Sequence, residues 1–339
     1  MEQELFNELY KLRCHNGFYS ASSSVDYKHT WLRDNYYCAL PELWHNKEYY
    51  KQTYQTWLDY YILVEFKYNK FTSLINKKRL DENYEFPNPR LNLDLTEIHT
   101  GWNHVQIDTI GYFLLGIAQG ENNNIKIIRN QDDLDIINKA ILMLDAINYI
   151  SVPESGAWEE NRECYRSSTI GAVLAGLIGV KTLDDRFNIP INIIDKLINE
   201  SKDALITILP NETPTRNSDL AQLFLIYPFN VLDEDMSKTI LNQIENKLLK
   251  DSGVIRYVND KYFNCNGEAE WTFGLAYLGI IYLKLKNLDK SRYYLNLLLS
   301  NGILIPELYY SKTNIGNDNK PLAWTLALTI ELNHLIEIN

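Results

Sequence analysis

The chain has 339 residues, a formal net charge of −11 and 45% hydrophobic residues, enough for two ordinary domains or one large repetitive architecture with a sizeable core. The acidic balance, with no basic cluster interleaved with aromatics, argues against a nucleic-acid partner. No stretch approaches the ~18 uncharged apolar residues of a membrane span, and the start "MEQELFNELYKLRC" is acidic where an export signal would be basic and then apolar, so a soluble, cytoplasmic protein is expected.

Helical periodicity dominates from one end to the other, and strand signals are short and confined to connections. In chain order, helices are predicted over 2–14, 34–45, 47–65, 107–119, 131–150, 167–179, 190–206, 218–228, 234–250, 270–286, 288–300 and 321–337. The segment "QDDLDIINKAILMLDAINYI" shows the pattern: Ile136, Ile137, Ala140, Ile141, Leu144 and Ile147 share one stripe, and acidic residues fill the first turn. Twelve helices give about 28 residues per helix with its loop. Quick turnovers such as "LKLKNLDKSRYY" alternate with longer excursions rich in Trp, Asp, Glu, Arg and Gly, which precede the even-numbered helices. A solenoid or a closed barrel of helix pairs fits this count; no repeat at a fixed period is visible, which favours the barrel. One all-α domain over 1–339 is therefore expected. If inner and outer helices alternate, every long loop opens on the same end, and its side chains converge there.

Four cysteines, Cys14, Cys38, Cys164 and Cys265, form no CxxC or CxxxC pair and read as free thiols. The six histidines lack HExxH spacing, so neither a metal site nor a cofactor is expected.

Five of the seven tryptophans, Trp31, Trp102, Trp158, Trp271 and Trp324, lie in or beside the long loops, whereas Trp44 and Trp57 sit on helix faces. Packing alone would scatter them, so a shared ligand site is the better reading. Ahead of helix 2 stand Tyr27, Trp31, Arg33 and Asp34. Ahead of helix 4, "GWNHVQID" supplies Trp102, Gln106 and Asp108, and ahead of helix 6, "ESGAWEEN" supplies Trp158, Glu159 and Glu160. "NETPTRNSD" precedes helix 8. The long connection before helix 10 offers Arg256, Asp260, Glu268, Glu270 and Trp271, and the last one offers Glu307. Singly, each has an ordinary explanation: Asp34 as a helix cap with Arg33 in an ion pair, Gln106 with Asp108 as a cap, "WEEN" as an acidic helix start. Together, carboxylates, amides, guanidinium groups and indole faces suit a sugar, with no Lys-Gly phosphate loop for a nucleotide. Glycosidic cleavage also needs two carboxyl groups of opposite protonation. Burial against Trp158 and the neighbouring charge of Glu160 would both push Glu159 upward, toward the proton-holding role.

Four motifs then carry a resemblance. "DYKHTWLRD" (26–34) resembles D-Y-x-x-T-W-x-R-D, "WNHVQID" (102–108) resembles W-x-x-x-Q-x-D, "AWEE" resembles L-W-E-E, and "RYVNDKY" (256–262) resembles R-Y-x-x-D-x-Y. In this order they are similar to the glucoamylases of glycoside hydrolase family 15, including the glucoamylase-like domain of the phosphorylase kinase α and β regulatory subunits. The resemblance runs from about Tyr27 to Trp324. It implies an (α/α)6 barrel and inverting release of β-glucose from the non-reducing end of α-glucans or related α-glucosides. Carried over, Glu159 becomes the general acid, and Arg33 and Asp34 hold the terminal glucose. Trp31, Trp102, Glu160 and Arg256 line adjoining subsites, and Tyr27 bonds the base. Glu307 is the chosen base and Glu270 the reserve. "PELY" and "EAEW" look more like the regulatory subunits, which implies the alternative of a silent glucan-binding protein; the doubled acid Glu159-Glu160 is the glucoamylase form. No segment matches the family's N-terminal β-sandwich or a starch-binding module, so short soluble glucosides are the expected substrates. Trehalose hydrolysis remains a third option within the same fold.

Overall fold

A computed structural model describes residues 1–72, 85–99 and 102–339. Six helical elements form an inner ring: α2 (Leu32–Ala39), α6 (Asp108–Asn122), α8 (Ser167–Lys181), α10 (Leu223–Ile226), α12 (Phe273–Lys284) and α14 (Ala323–Glu337). Each packs on the next, and α14 packs back on α2, so the ring closes. The outer helices α1 (Glu2–Lys11), α4 (Lys47–Leu63), α7 (Gln131–Ile147), α9 (Ile191–Ile208), α11 (Glu234–Lys247) and α13 (Leu288–Leu299) alternate with them along the chain. This is an (α/α)6 barrel, as expected. Two short helices, α3 (Glu42–His45) and α5 (Glu65–Thr72), flank α4.

Sequence explains which helices go inside. Inner segments such as "SSTIGAVLAGLIGVK" of α8 and "FGLAYLGIIYLK" of α12 are apolar nearly all round and almost wholly buried, whereas α2, "LRDNYYCA", is wholly buried although it carries Arg33, Asp34 and Asn35. Outer helices bury one stripe: in α9 it is Ile194, Leu197, Ile198, Ser201, Leu205 and Ile208, at spacings of three and four. Where α6 meets α8 the backbones nearly touch. A Cβ added at Gly111 would lie 2.4 Å from the Ala172 carbonyl carbon, and one at Gly176 would lie 2.5 Å from the Gly111 oxygen. Glycine is the one residue that allows this approach.

The barrel axis is filled with rings. Tyr37 stacks on Trp324 at 4.8 Å and 12°, and its hydroxyl lies 2.7 Å from that of Tyr112. Trp324 stacks in turn on Phe273 at 4.4 Å and 4° and donates to the Tyr277 hydroxyl at 3.3 Å. Two small antiparallel pairs brace the loop end. β1 (Thr30–Trp31) pairs with β2 (Arg90–Leu91), Trp31 opposite Arg90, and β3 (Glu270–Trp271) pairs with β4 (Leu308–Tyr309), Trp271 opposite Leu308.

Several boundaries differ from the periodicity. The helix expected over 34–45 breaks at Pro41, which cannot donate to the preceding turn. The one expected over 218–228 shrinks to a 3-10 turn, Leu220–Gln222, opened by an Asp219 capping box, and the four residues of α10. The 270–286 helix starts at Phe273 because Glu270 and Trp271 are spent on β3. α7 ends at Ile147, with Asn148 in the left-handed region. α5 has no counterpart among the expected helices. Gly101 of "GWNHVQID" lies outside the described residues.

Candidate active site

Side chains from five loops line one cavity of about 290 Å³ at the N-terminal ends of the inner helices. Tyr27, Trp31, Arg33 and Asp34 come from the approach to α2, and Trp102 and Asn103 from that to α6. Ala157, Trp158 and Glu159 precede α8, Arg256, Tyr262 and Trp271 precede α12, and Glu307 with Leu322 precedes α14. Phe273 and Trp324, the top of the aromatic plug, complete the wall. A second hollow of about 530 Å³ shares Asn103, Trp158, Glu159, Arg256 and Tyr262 and extends over Glu160, Arg216 and Tyr257.

Arg33 sits in the first turn of α2, almost fully buried, and is held from below. Its Nε donates to Asp108 Oδ2 at 2.7 Å, one terminal nitrogen to Gln106 Oε1 at 2.6 Å, and the guanidinium also reaches the carbonyls of Gly156 and Ala157. The planar fork matches these acceptors and fixes the group's direction. Asp34 follows, buried but open to the cavity; burial pushes its carboxyl up to about 7, with Arg33 opposing and Glu159 and Glu307 adding to the rise. It does not cap α2, whose N-cap is Trp31 without a side-chain bond, and neither Gln106 nor Asp108 caps α6.

Glu159 is set in a turn and not in a helix start. Glu159 N donates to the Gly156 carbonyl at 3.2 Å and Glu160 N to that of Ser155 at 2.9 Å. The turn requires φ of +62° at Gly156 and places Glu159 itself at φ +57°, a sparsely populated region for a side chain of this size. Its Oε1 accepts from Trp31 Nε1 at 2.7 Å, while Oε2 is buried without a hydrogen-bond partner among the described residues. Burial pushes this carboxyl up, with the Arg33 charge opposing.

Glu307, directly before β4, has a different setting. Oε1 accepts from the Tyr27 hydroxyl at 3.1 Å, and Oε2 accepts from the amides of Asn317 and Asn319, each at 2.7 Å. Burial raises this carboxyl too, but all three donors favour its charged form.

The remaining wall is charged and stacked. Arg256 forms a two-pronged pair with Asp260 at 2.6 and 2.7 Å, and its guanidinium carbon lies 5.4, 4.8 and 5.0 Å from the ring centres of Trp158, Tyr262 and Trp271. Trp158 Nε1 donates to Asp219 at 2.9 Å. Glu160 is clamped by Arg216, Arg166 and the Tyr257 hydroxyl; burial would raise its carboxyl, but Arg216 holds it lower. Trp102 stands at the mouth, 37% exposed, edge-on to Trp31 and beneath the Arg90 guanidinium.

Of the residues singled out in the sequence, Tyr27, Trp31, Arg33, Asp34, Trp102, Trp158, Glu159, Arg256, Trp271 and Glu307 meet in the cavity, and Glu160 lines the adjoining hollow. Gln106 and Asp108 do not line it; they anchor Arg33. Glu270, the reserve base, is also kept out. Its carboxylate accepts from the backbone amides of Ser252 at 2.8 Å and Lys312 at 3.2 Å, tying the loops around β3, because strand alternation turns it away from the face that Trp271 presents. Asn103 and Tyr262 were inside motifs already quoted and went unchosen. Phe273 and Leu322 carried no signal, being apolar residues beside helix starts. Among the described residues no group of His, Cys, Asp and Glu is arranged to hold a metal ion, and no helix is long and apolar enough to cross a membrane.

This helical barrel is the fold of a group of solved glycosidases. One superposes with a TM-score of 0.88 at 16% identity, over 99% of this chain and 96% of its own. The glucoamylase from Saccharomycopsis fibuligera gives 0.78 at 14% identity, over 99% and 94%. The chain belongs to the glycosyl hydrolases family 15, whose family model matches residues 11–332. Curated relatives include a probable phosphorylase b kinase regulatory subunit alpha of Caenorhabditis elegans, 26% identical over 246 residues, which are 61% of this chain and 20% of that protein. The Drosophila melanogaster counterpart is 24% identical over 264 residues, 69% and 21%. The chain spans about a fifth of the length of these relatives.

Proposed function

We propose that this chain is an inverting, exo-acting α-glucosidase of glucoamylase type, releasing β-glucose from the non-reducing end of α-glucans or short α-glucosides in the cytoplasm. The observation that carries the proposal is the contrast between the two cavity carboxyls. Burial raises both, but Glu159 accepts from Trp31 on one oxygen and has no hydrogen-bond partner for the other among the described residues, whereas three donors occupy both oxygens of Glu307 and favour its charge.

In the proposed reaction Glu159 gives its proton to the glycosidic oxygen as the bond to the anomeric carbon breaks. Glu307 takes a proton from the water that attacks that carbon from the opposite face, so the configuration inverts. This requires the two carboxyls to stand roughly 6.5–9.5 Å apart, room for one water. Arg33 and Asp34 hold hydroxyls of the terminal glucose, and Trp31 and Trp102 line the adjoining subsites. A variant of one of the structurally similar glycosidases was solved in complex with glucose, which agrees with this choice of sugar.

The test is proton NMR of fresh product from maltose and isomaltose. β-Glucose should appear first and mutarotate; α-glucose appearing first would remove the inverting assignment. A second reading, a glucan-binding regulatory protein, is favoured by the phosphorylase kinase relatives. Wild-type protein that binds malto-oligosaccharides without releasing glucose would establish it.

A further inference from the structure

The hairpin that carries Glu307 also carries two asparagines whose placement is too specific for loop filling. Glu307 N donates to the Asn319 carbonyl at 2.9 Å, Asn317 N to the Leu308 carbonyl at 3.1 Å, and Tyr309 bridges Gly316. Along this return segment burial alternates. Asn317 and Asn319 turn inward and are buried, whereas Asp318 and Lys320 turn out and are exposed. Both inward amides reach the same atom, Oε2 of Glu307, at 2.7 Å. Asn319 is locked in that sense, because its Oδ1 accepts from Ser24 Oγ at 2.5 Å. Asn317 has a buried Oδ1 without a partner among the described residues; flipping it would set two acceptors face to face.

We infer that Asn317 and Asn319 are positioning residues for the base: they occupy Oε2 of Glu307, hold the carboxyl in its ionised form, and leave Oε1 as the oxygen that takes the proton from water. An oxygen accepting two amide donors has no lone pair left for a third partner. Among the described residues Oε1 accepts from Tyr27 alone, and the Tyr27 hydroxyl itself lies 3.4 Å from that of Tyr262. The other titratable or charged groups facing Glu307 are Asp34 from the approach to α2 and Arg256 and Tyr262 from the approach to α12, and none of them bonds Oε2.

The inference rests on Glu307 being the base, so the experiment reads the carboxyl itself as well as turnover. In protein labelled with 13C at the glutamate carboxyls, the Glu307 signal is assigned by its loss in Glu307→Gln and titrated in the wild type, Asn317→Leu, Asn319→Leu and the smaller uncharged Asn317→Ala and Asn319→Ala. Loss of either amide should raise the Glu307 midpoint by about one pH unit or more, the size expected for a hydrogen bond to a charged group. The low-pH limb of kcat/KM should move up by the same amount, with glucose affinity unchanged. A midpoint that stays in place in folded variants overturns the inference even if activity falls. If the leucine variants do not fold, the alanine variants decide. If the wild type binds glucose without releasing it from maltose, the hydrolase reading fails and the titration alone judges the clamp.

Discussion

Arg33 and Asp34 are neighbours with opposite duties. Arg33 is committed to Asp108, Gln106 and two carbonyls, so the ion pair that looked like an ordinary alternative is present, and its purpose is to aim the guanidinium. Asp34 presents its carboxyl to the cavity, and Asp34→Ala should reduce glucose affinity more than tenfold by calorimetry while lowering the thermal midpoint by only a few degrees. Glu159→Gln should keep the geometry and lose the proton, reducing kcat by about 10²–10⁴ with glucose affinity retained. "WLRD" and "WEE" made these residues legible, because ionisable groups beside indoles in loops are unusual. What each contacts was not, since Trp31 with Glu159 and Tyr27 with Glu307 are 128 and 280 positions apart.

Among the elements, inner and outer helices begin differently. Asn46, Asn130, Asp233 and Asn287 cap α4, α7, α11 and α13 with side-chain bonds, whereas the N-cap residues of α2, α6, α8, α12 and α14 make none. Four of the six outer helices are therefore punctuated locally, whereas α1 and α9, like these inner helices, start without a side-chain cap. Asn130→Ala should cost about 1 kcal/mol in urea unfolding, the usual value of a cap. Gly111→Ala should cost about 3 kcal/mol or more, because backbone, not a movable side chain, blocks the new methyl. Outer boundaries were correspondingly easier to place from sequence than those of α2, α10 and α12, where Pro41, an Asp219 box and a strand intervene.

For the whole molecule, buried carboxyls set the dependence of stability on pH. Burial pushes Glu42 up to about 7 despite hydroxyl donors from Tyr19 and Tyr10, and Asp34 also reaches about 7. Glu212 reaches about 8 through burial and repulsion from Asp219. Each native value lies above that of the unfolded chain, so the folded state binds the extra protons. The stabilisation is complete below about pH 4, near the free carboxyl range, and is lost as pH rises through 7 to 8. The thermal midpoint should thus decline from pH 5 to pH 8, and Glu42→Gln, far from the cavity loops, should flatten part of that slope without changing turnover. A midpoint that rose over this range would contradict the assignment.

The sequence by itself determined the helical barrel and most of its mouth. Apolar periodicity reports which faces are buried, and the long loops concentrate the tryptophans and carboxylates that no helix face could use. Only the tertiary structure decided between Glu307 and Glu270 as cavity carboxyls, moved Gln106 and Asp108 beneath Arg33, and gave the two asparagines of "NDN" an object. Those outcomes depend on which face of a two-residue strand meets the cavity and on contacts between segments hundreds of residues apart. A linear pattern carries the spacing of such residues but not the direction in which the fold turns them.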